Sequence, residues 1–203
     1  MGLVLGKITV ETPKYELIHA CPDYEIRKYA PSVVAEVTYS PSALGGDRDG
    51  GFRILADYIG ALGAPRNAKP EKIAMTAPVV TKTSAAAEKI AMTAPVITSG
   101  GGGGGGEAVT MQFILPAKYR AAAEAPQPLD ERVVVREEAE RKYAVARFSG
   151  VATEKVVAEK VESLKKSLER DGYKITGEFL LARYNPPWTL PPLRTNEVMI
   201  PVE

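Results

Sequence analysis

Few side chains in this sequence have the chemistry of a catalytic or metal-binding site. His19, the one histidine, lies two residues before the one cysteine, Cys21, so a strand would place both on one face. No Cys/His cluster has metal-binding spacing, and no Gly-x-Ser-x-Gly motif supplies a nucleophile. Glu137 and Glu138 form a carboxylate pair, but they lie in a charged run and are expected to be solvated. The sequence predicts that the protein is not an enzyme and that His19 and Cys21 are ordinary strand residues.

The best candidate for a binding surface is an apolar stripe in a helix predicted between Asp47 and Leu62, with Asp47 or Asp49 as its N-cap. The stripe recurs at i, i+3, i+4 and i+7, and its members are Phe52, Leu55, Ala56 and Ile59. A second apolar line, Ile54 and Tyr58, lies beside it, so one face can pack on a sheet while another is left open. Two interpretations stay open, because the stripe is either core or the lining of a shared cleft.

A second helix and several strands must position that stripe. The second helix is predicted between Thr153 and Arg170, with Gly172 as its stop, and its apolar residues at helical spacing are Val157, Val161, Leu164 and Leu168. Alternating and β-branched runs predict extended structure in six segments, which are Tyr15–Tyr39, Ile73–Thr81, Val109–Leu115, Val133–Phe148, Glu178–Tyr184 and Asn196–Val202.

Each half of the chain runs in the order extended pair, helix, extended pair. The fragment Arg-Lys-Tyr-Ala occurs in both halves, at Arg27–Ala30 and at Arg141–Ala144, and it is interpreted as a mark of the same stage in each. The repeated order is the stronger sign. It predicts two pseudo-repeats that close into one α+β sheet and bury both helices against it.

A local duplication interrupts this order. The segment Glu71–Val79 recurs without change as Glu88–Val96, at an offset of 17 residues, and seven consecutive glycines follow at Gly100–Gly106. One place in a sheet accepts only one copy, and polyglycine has no side chains to bury. We therefore expect a flexible insertion at about 82–107, with a protein partner as one candidate role for it.

Composition restricts the class of protein. The 203 residues are 45% hydrophobic, which suits one domain over residues 1–203. Because the net charge is +1, no strong field steers the chain onto nucleic acid. No apolar run has the length to cross a membrane, and one cysteine cannot form an internal disulfide. We expect no nucleic-acid partner, no membrane insertion and a cytoplasmic location.

Several motifs taken together resemble the SOUL/haem-binding protein family. They follow one another along nearly the whole chain, and they are Tyr24–Tyr29, Gly51–Phe52, Tyr58–Ile59, Lys72–Val79, Arg183–Trp188 and Arg194–Val198. The near-tandem Lys-Ile-Ala-Met-Thr-Ala-Pro-Val copies and the proline-rich Asn185–Leu193 loop look most like plant cytosolic members of that family.

The resemblance implies a distorted antiparallel β-barrel flanked by two helices, which binds haem or other porphyrins in a shallow apolar cleft beside the first helix. The family's haem-facing positions correspond here to Asp49, Phe52, Leu55, Ala56 and Ile59. Trp188 and Leu190, on the proline-rich loop, are candidates to cover the same cleft, or else they plug the barrel.

This chain departs from the family pattern where charge and iron ligation are concerned. Asp49 and Thr189 stand where other members have an arginine and a lysine that meet the propionates, so Arg48, Arg53 or Arg194 would have to substitute. Lys28 stands where some relatives have a histidine, and a cationic lysine is a poor iron ligand. The methionines Met75 and Met92 are expected to fill core gaps.

The expected function is therefore non-covalent tetrapyrrole binding without a strong axial ligand, by a non-catalytic carrier, buffer or signalling protein. The alternative is a small-molecule-sensing or protein-interaction adaptor module that binds no haem physiologically. Bacterial regulators use similar two-repeat domains to bind effectors, but fold-level analogy alone carries little weight.

Overall fold

The computed structural model describes residues 5–45, 47, 49–84 and 108–203. Within these ranges lie nine strands, two α-helices and three short 3-10 helices, of which the 3-10 helices are at Pro41–Leu44, Ala122–Glu124 and Pro191–Leu193. The strands are β1 (Tyr15–Ala20), β2 (Glu25–Tyr29), β3 (Ser32–Tyr39), β4 (Val79–Ser84), β5 (Ala108–Ile114), β6 (Val133–Glu138), β7 (Arg141–Phe148), β8 (Leu180–Arg183) and β9 (Asn196–Pro201). The helices are α1 (Gly50–Ile59) and α2 (Glu154–Arg170). No described helix has both the length and the apolar content to span a bilayer.

The boundaries of the two helices follow from local chemistry. At the start of α2 the Thr153 hydroxyl accepts a hydrogen bond from Val156 N at 3.3 Å, and just past its end Gly172 takes a positive φ of 78°. The predicted α2 is thus confirmed. The first helix is shorter than predicted, because Gly60 adopts the left-handed conformation (φ 77°) and ends α1 there.

The strands form one antiparallel sheet in the order β1-β2-β7-β9-β8-β4-β5-β3-β6, which curls into a half-barrel. Outward from the central β8–β4 pair, β9, β7 and β2 on one side match β5, β3 and β6 on the other. The repeat of strands, helix and strands is therefore confirmed as an approximate two-fold relation. In it, the strand that begins each repeat pairs with a strand of the other half, β2 with β7 and β6 with β3. Strand β1 precedes the first repeat and pairs with β2 at the edge of the sheet.

The Arg-Lys-Tyr-Ala fragment does not mark equivalent positions, so that interpretation is wrong. Its copies lie in β2 and β7, whereas the counterpart of β2 is β6. The two copies pair with each other instead, with Arg27 opposite Tyr143 and Tyr29 opposite Arg141. An antiparallel pair places such a fragment around a local dyad, and each arginine then lies beside the partner strand's tyrosine.

Both helices cover the same face of the sheet, each above its own half. Helix α1 packs on β3, β5 and β6 around Leu55, Ala56 and Ile59, and α2 packs on β7 and β9 around Leu164 and Leu168. Side chains alternate along a strand, so the neighbouring residues point to the other face. The predicted fold class, an α+β fold in which two helices flank a distorted antiparallel barrel of two pseudo-repeats, is confirmed, with the sheet curled into a half-barrel.

The opposite face carries a tyrosine-rich cluster with buried charges. Arg27 donates to the Glu197 carboxylate at 3.0 Å, Tyr184 donates to the same group at 2.7 Å, and both charged residues are at most 5% exposed. Burial raises the pKa of Tyr29 to about 12, so its hydroxyl stays protonated beside Arg27. A cavity of about 40 Å³, lined in part by Tyr29 and Tyr184, lies beside this cluster and has room for one or two waters.

Glu138 is also buried on this face and not solvated as predicted. It is 5% exposed, its carboxylate accepts from Arg136 at 2.5 Å, and it pairs with Arg141. Both partners come from the same charged run, Arg136 on β6 and Arg141 at the start of β7.

Candidate functional site

An open groove of about 440 Å³ runs along the outer side of α1. It is lined by the exposed turn of that helix, by the segment that precedes it and by the turn that leads into β6. The described lining residues are Leu44, Asp47, Asp49, Gly50, Phe52, Arg53, Ile54, Asp57 and Arg132. We call this feature the α1 groove. Its volume lies within the range of about 300–1,000 Å³ that is usual for small-molecule sites.

The predicted site residues of α1 divide between the two sides of the helix. Asp49, Phe52 and Arg53 line the α1 groove. Leu55, Ala56 and Ile59 point inward and are 0%, 0% and 2% exposed, as members of the core beneath the helix. Their side chains therefore do not form the groove surface, and core packing accounts for their spacing.

Phe52 connects the groove to the core. It is half-buried, packs against the inner cluster, and its ring lies 5.4 Å from that of Phe113 on β5, at an angle of 62°. One edge of the ring thus makes a tilted aromatic pair inside while the other faces the groove. Together with Ile54 and Leu44 it supplies the apolar part of the lining.

Among the described residues, some of the charged side chains that line the groove are paired with residues outside it, and Arg53 is not. Asp49 is the N-cap residue of α1, but its side chain makes no capping bond and instead accepts from Arg183 on β8 at 2.5 Å. Arg132 is held by the Asp130 carboxylate through two bonds of 2.9 and 2.7 Å. Arg53 is exposed, and no described carboxylate forms an ion pair with it. Among the described lining residues, Arg53 is the cation that is available to an anionic ligand.

Trp188, Leu190 and Arg194 do not line the groove. Trp188 and Leu190 lie on the exposed loop after β8, with 65% and 50% of their surface accessible. Arg194 donates to the carbonyls of Thr189 and Pro187 at 2.8 and 2.5 Å, so its guanidinium stabilises that loop. The predicted role of Arg48 lies outside the described residues, as does most of the predicted insertion at about 82–107, from residue 85 onward.

None of the described candidate iron ligands lines the groove. His19 lies on β1 at one edge of the sheet, whereas α1 covers the strands at the other edge. The Cys21 thiol donates to the carbonyl of Tyr24 at 3.3 Å and packs near α2. Met75 packs against the core beneath α1, and Met92 is not among the described residues. Across the described ranges, no three His, Cys, Asp or Glu side chains gather as a metal ion would require.

Six of the nine described lining residues were not among the site residues predicted from the sequence. They are Leu44, Asp47, Gly50, Ile54, Asp57 and Arg132. Arg132 comes from a turn more than seventy positions beyond α1 in the chain. For Arg132 the sequence did carry a signal, which is the Asp-x-Arg spacing of Asp130 and Arg132 before a β-branched run. A turn at that point lets the arginine fold back onto the carboxylate.

The Asp130–Arg132 pair gives the groove wall a defined dependence on acid. The Arg132 guanidinium lowers the pKa of Asp130 to about 2, below its usual 3.8. A lowered folded-state pKa means that this stabilisation is complete above about pH 4 and is lost as the pH falls toward 2.

We expect Asp130→Asn to lower the free energy of unfolding at pH 7 by no more than about 1 kcal/mol, because Arg132 is largely exposed. The dependence of that free energy on pH between 4 and 2 should become shallower, which urea titrations at several pH values would measure. Arg132→Met should give the same loss, and the double variant no more. Additive losses would show that the two side chains act independently.

The fold and the groove together define a class of α+β domains in which two strand–helix–strand repeats share one sheet and the first helix borders an open cleft. The family model described as SOUL heme-binding protein matches residues 10–87 and 82–201. The chain belongs to the SOUL heme-binding protein family.

Solved structures share the fold at low sequence identity. The EcmrR C-terminal domain is 12% identical with a TM-score of 0.55, over 93% of this chain and 98% of that one. An uncharacterized conserved protein from Listeria innocua is 13% identical with a TM-score of 0.56, over 89% and 92%. A hydrolase from the same organism is 10% identical with a TM-score of 0.54, over 92% and 94%. At these identities the likeness shows the fold alone. No curated protein sequence matches the chain.

Proposed function

We propose that this chain binds haem or another tetrapyrrole non-covalently in the α1 groove, as a non-catalytic carrier, buffer or signalling protein. The observation that carries the proposal is the groove itself, about 440 Å³ beside the first helix of a heme-binding family member. A flat macrocycle suits a shallow open cleft, because one face can rest on apolar side chains while the edge with the carboxylates stays in water.

Contacts alone provide enough free energy for binding. A drug-sized ligand gains about 0.3 kcal/mol per heavy atom, so a macrocycle of about 40 atoms gains on the order of 10 kcal/mol. The apolar lining of Leu44, Phe52 and Ile54 would contact the ring, and Arg53 would meet a propionate. This arrangement places the ligand on the outer side of α1, with Leu55, Ala56 and Ile59 as the core that holds the helix in place.

The proposed site has no axial ligand for iron. None of the described lining residues is a histidine, cysteine, methionine or tyrosine, the side chains that ligate haem iron in proteins. Haemin and metal-free protoporphyrin should therefore bind with similar dissociation constants. A large preference for haemin in parallel titrations would require an iron ligand and would contradict the proposed site.

Arg53→Glu is expected to raise the dissociation constant of haemin about tenfold, because one charge-assisted hydrogen bond is lost and a like charge faces the propionate. Titration of haemin, followed at its Soret absorption, measures the constant. Lys165→Glu is a matched control, since it makes the same change of charge at an exposed position on α2. That variant should bind haemin as the parent protein does.

Two outcomes would count against the proposal. Equal weakening by the variants at positions 53 and 165 would indicate a general charge effect and no ligand in the α1 groove. No saturable binding of either porphyrin would remove the tetrapyrrole function altogether and would favour the sensing or adaptor alternative.

The proposed setting follows from bulk properties. A net charge of +1 supports a ligand other than nucleic acid, and a single cysteine suits the reducing cytoplasm. The plant-like character and a protein partner at about 82–107 stay predictions.

A further inference from the structure

The first copy of the duplicated segment makes many specific contacts, and they begin at Glu71. Its carboxylate accepts hydrogen bonds from Lys118 Nζ at 2.7 Å and from the Tyr119 hydroxyl at 2.8 Å. Its backbone is held by the Asn67 side chain, which accepts from Glu71 N at 3.0 Å and donates to Glu71 O at 2.8 Å. The entry to the segment is thus fixed at both the backbone and the side chain.

The middle of the segment is anchored in the core. Ile73 is 4% exposed beneath α1, and its backbone N donates to Ile59 O at 3.0 Å. The Thr76 hydroxyl donates to the carbonyl of Ile114, and Ala77 N donates to Glu11 O at 2.9 Å. The segment then enters β4, where residues 79–81 pair with both β5 and β8.

Every one of these partners lies outside both copies. We call the surface that they form the docking surface, and it consists of Glu11, Ile59, Asn67, Ile114, Lys118 and Tyr119 together with β5 and β8. Residues 88–98 repeat residues 71–81 at ten of eleven positions. The one difference replaces Val80 with Ile97. Val80 borders the cavity of about 40 Å³ on the opposite face, which leaves room for one more methylene.

We propose that residues 88–98 are an alternative occupant of the docking surface, so that the chain has two registers. In the register that the structure shows, residues 71–81 occupy the surface. In the other, residues 88–98 remake the same contacts, and residues 71–87 are extruded between Pro70 and Glu88. A sheet accepts only one copy, and identical residues cannot be told apart by partners that lie outside them.

Loop lengths permit both registers. Ser84 pairs with Ala108, so 23 residues (85–107) now join β4 to β5. The shift of 17 places Gly101 opposite Ala108 and leaves six residues (102–107), which is enough for a hairpin. Loop-closure entropy changes slowly with loop length.

The described register is the preferred one, for two reasons. The alternative closes one additional loop, and it replaces Lys82, Thr83 and Ser84 at the end of β4 with Ser99 and two glycines, which are poor strand residues. The second register is therefore the minor state of the unmodified chain.

The proposal can be tested by introducing a charged residue at Ile73 or at Ile90, in one copy at a time. Ile73→Asp should be rescued by the second copy, so the chain should still unfold cooperatively, with a melting temperature above that of the variant carrying both Ile73→Asp and Ile90→Asp. Ile90→Asp alone is the matched control and should melt as the parent does, because the second copy is not needed in the major register. Thermal unfolding followed by circular dichroism gives all four values. Equal melting or equal loss of structure in Ile73→Asp and in the double variant would overturn the proposal.

Disulfide trapping identifies the register directly. With Cys21→Ala as background, cysteine at position 110 should cross-link to position 82 in the described register and to position 99 in the alternative, because Lys82 lies opposite Thr110. In the Ile73→Asp protein we expect the 99–110 cross-link to exceed the 82–110 cross-link at least tenfold, with the ratio reversed in Ile90→Asp. Position 100, one residue out of register, controls for random collision. Equal cross-linking from positions 99 and 100, or an unreversed ratio, would overturn the proposal.

Discussion

Replacement of Arg27 by methionine is expected to lower the free energy of unfolding by about 3–5 kcal/mol, the usual cost of breaking a buried ion pair by removing one partner. Arg27 and Glu197 meet at 3.0 Å with side chains that are 6% and 3% exposed. Methionine retains the apolar stem but leaves the Glu197 carboxylate buried with Tyr184 as its remaining donor. Urea denaturation at pH 7 measures the change.

A matched control lies next to Arg27 on the same strand. Lys28→Met removes an exposed pair with Glu140 and should change the free energy of unfolding by less than about 1 kcal/mol. The double variant, Arg27→Met with Glu197→Met, should recover much of the loss, because no buried charge is left without its counter-ion. If the double variant were as unstable as the sum of the single variants, uncompensated charge would not be the cause.

Leu55→Ala is expected to lower the free energy of unfolding by about 2–5 kcal/mol, because it opens a cavity in a well-packed core. Leu55 is fully buried beneath α1, among residues of β3 and β5. Haemin affinity should stay within about twofold of the parent value under conditions where the variant is folded, since a core residue without access to the α1 groove contributes nothing to differential binding.

Leu62→Ala provides the comparison for this variant. Leu62 lies just beyond α1 and is 59% exposed, so the same substitution should change the free energy of unfolding by about 0.5 kcal/mol or less. A large loss of haemin affinity in folded Leu55→Ala would show instead that the inward stripe contacts the ligand, and that α1 opens away from the sheet to admit it.

The strongest sequence signals predicted elements well. In α2 a capping threonine, four apolar residues at helical spacing and a glycine stop all agree, and the helix lies where these predict. The segment Ile73–Thr81 is predicted as a strand, but only its residues from Val79 onward pair in β4. The residues before Val79 form backbone hydrogen bonds with loop residues and with the end of α1. Such tertiary contacts produce no periodic pattern in the sequence, so they could not be predicted.

The candidate site was only half predictable for a geometric reason. A short amphipathic helix shows which residues share a side, but Leu55 and Arg53 differ in environment only because the sheet covers one of them. Arg132 reaches the groove through the pairing of β6 with β3, a contact between distant parts of the chain. Asp49 fits the pattern of an N-cap, yet Arg183 from the other half takes its carboxylate.

Each repeat depends on a strand of the other repeat for its outer edge, and this affects the order in which the molecule can assemble. Strand β2 completes the ladder of the second half and β6 that of the first, so a chain cut between β5 and β6 would leave each fragment without an outer strand and with an open edge. Neither repeat is a self-sufficient folding unit. Strand β2 pairs with β1 on one side, but synthesis must pass β7 before β2 gains its second neighbour, so the sheet is completed only late in synthesis.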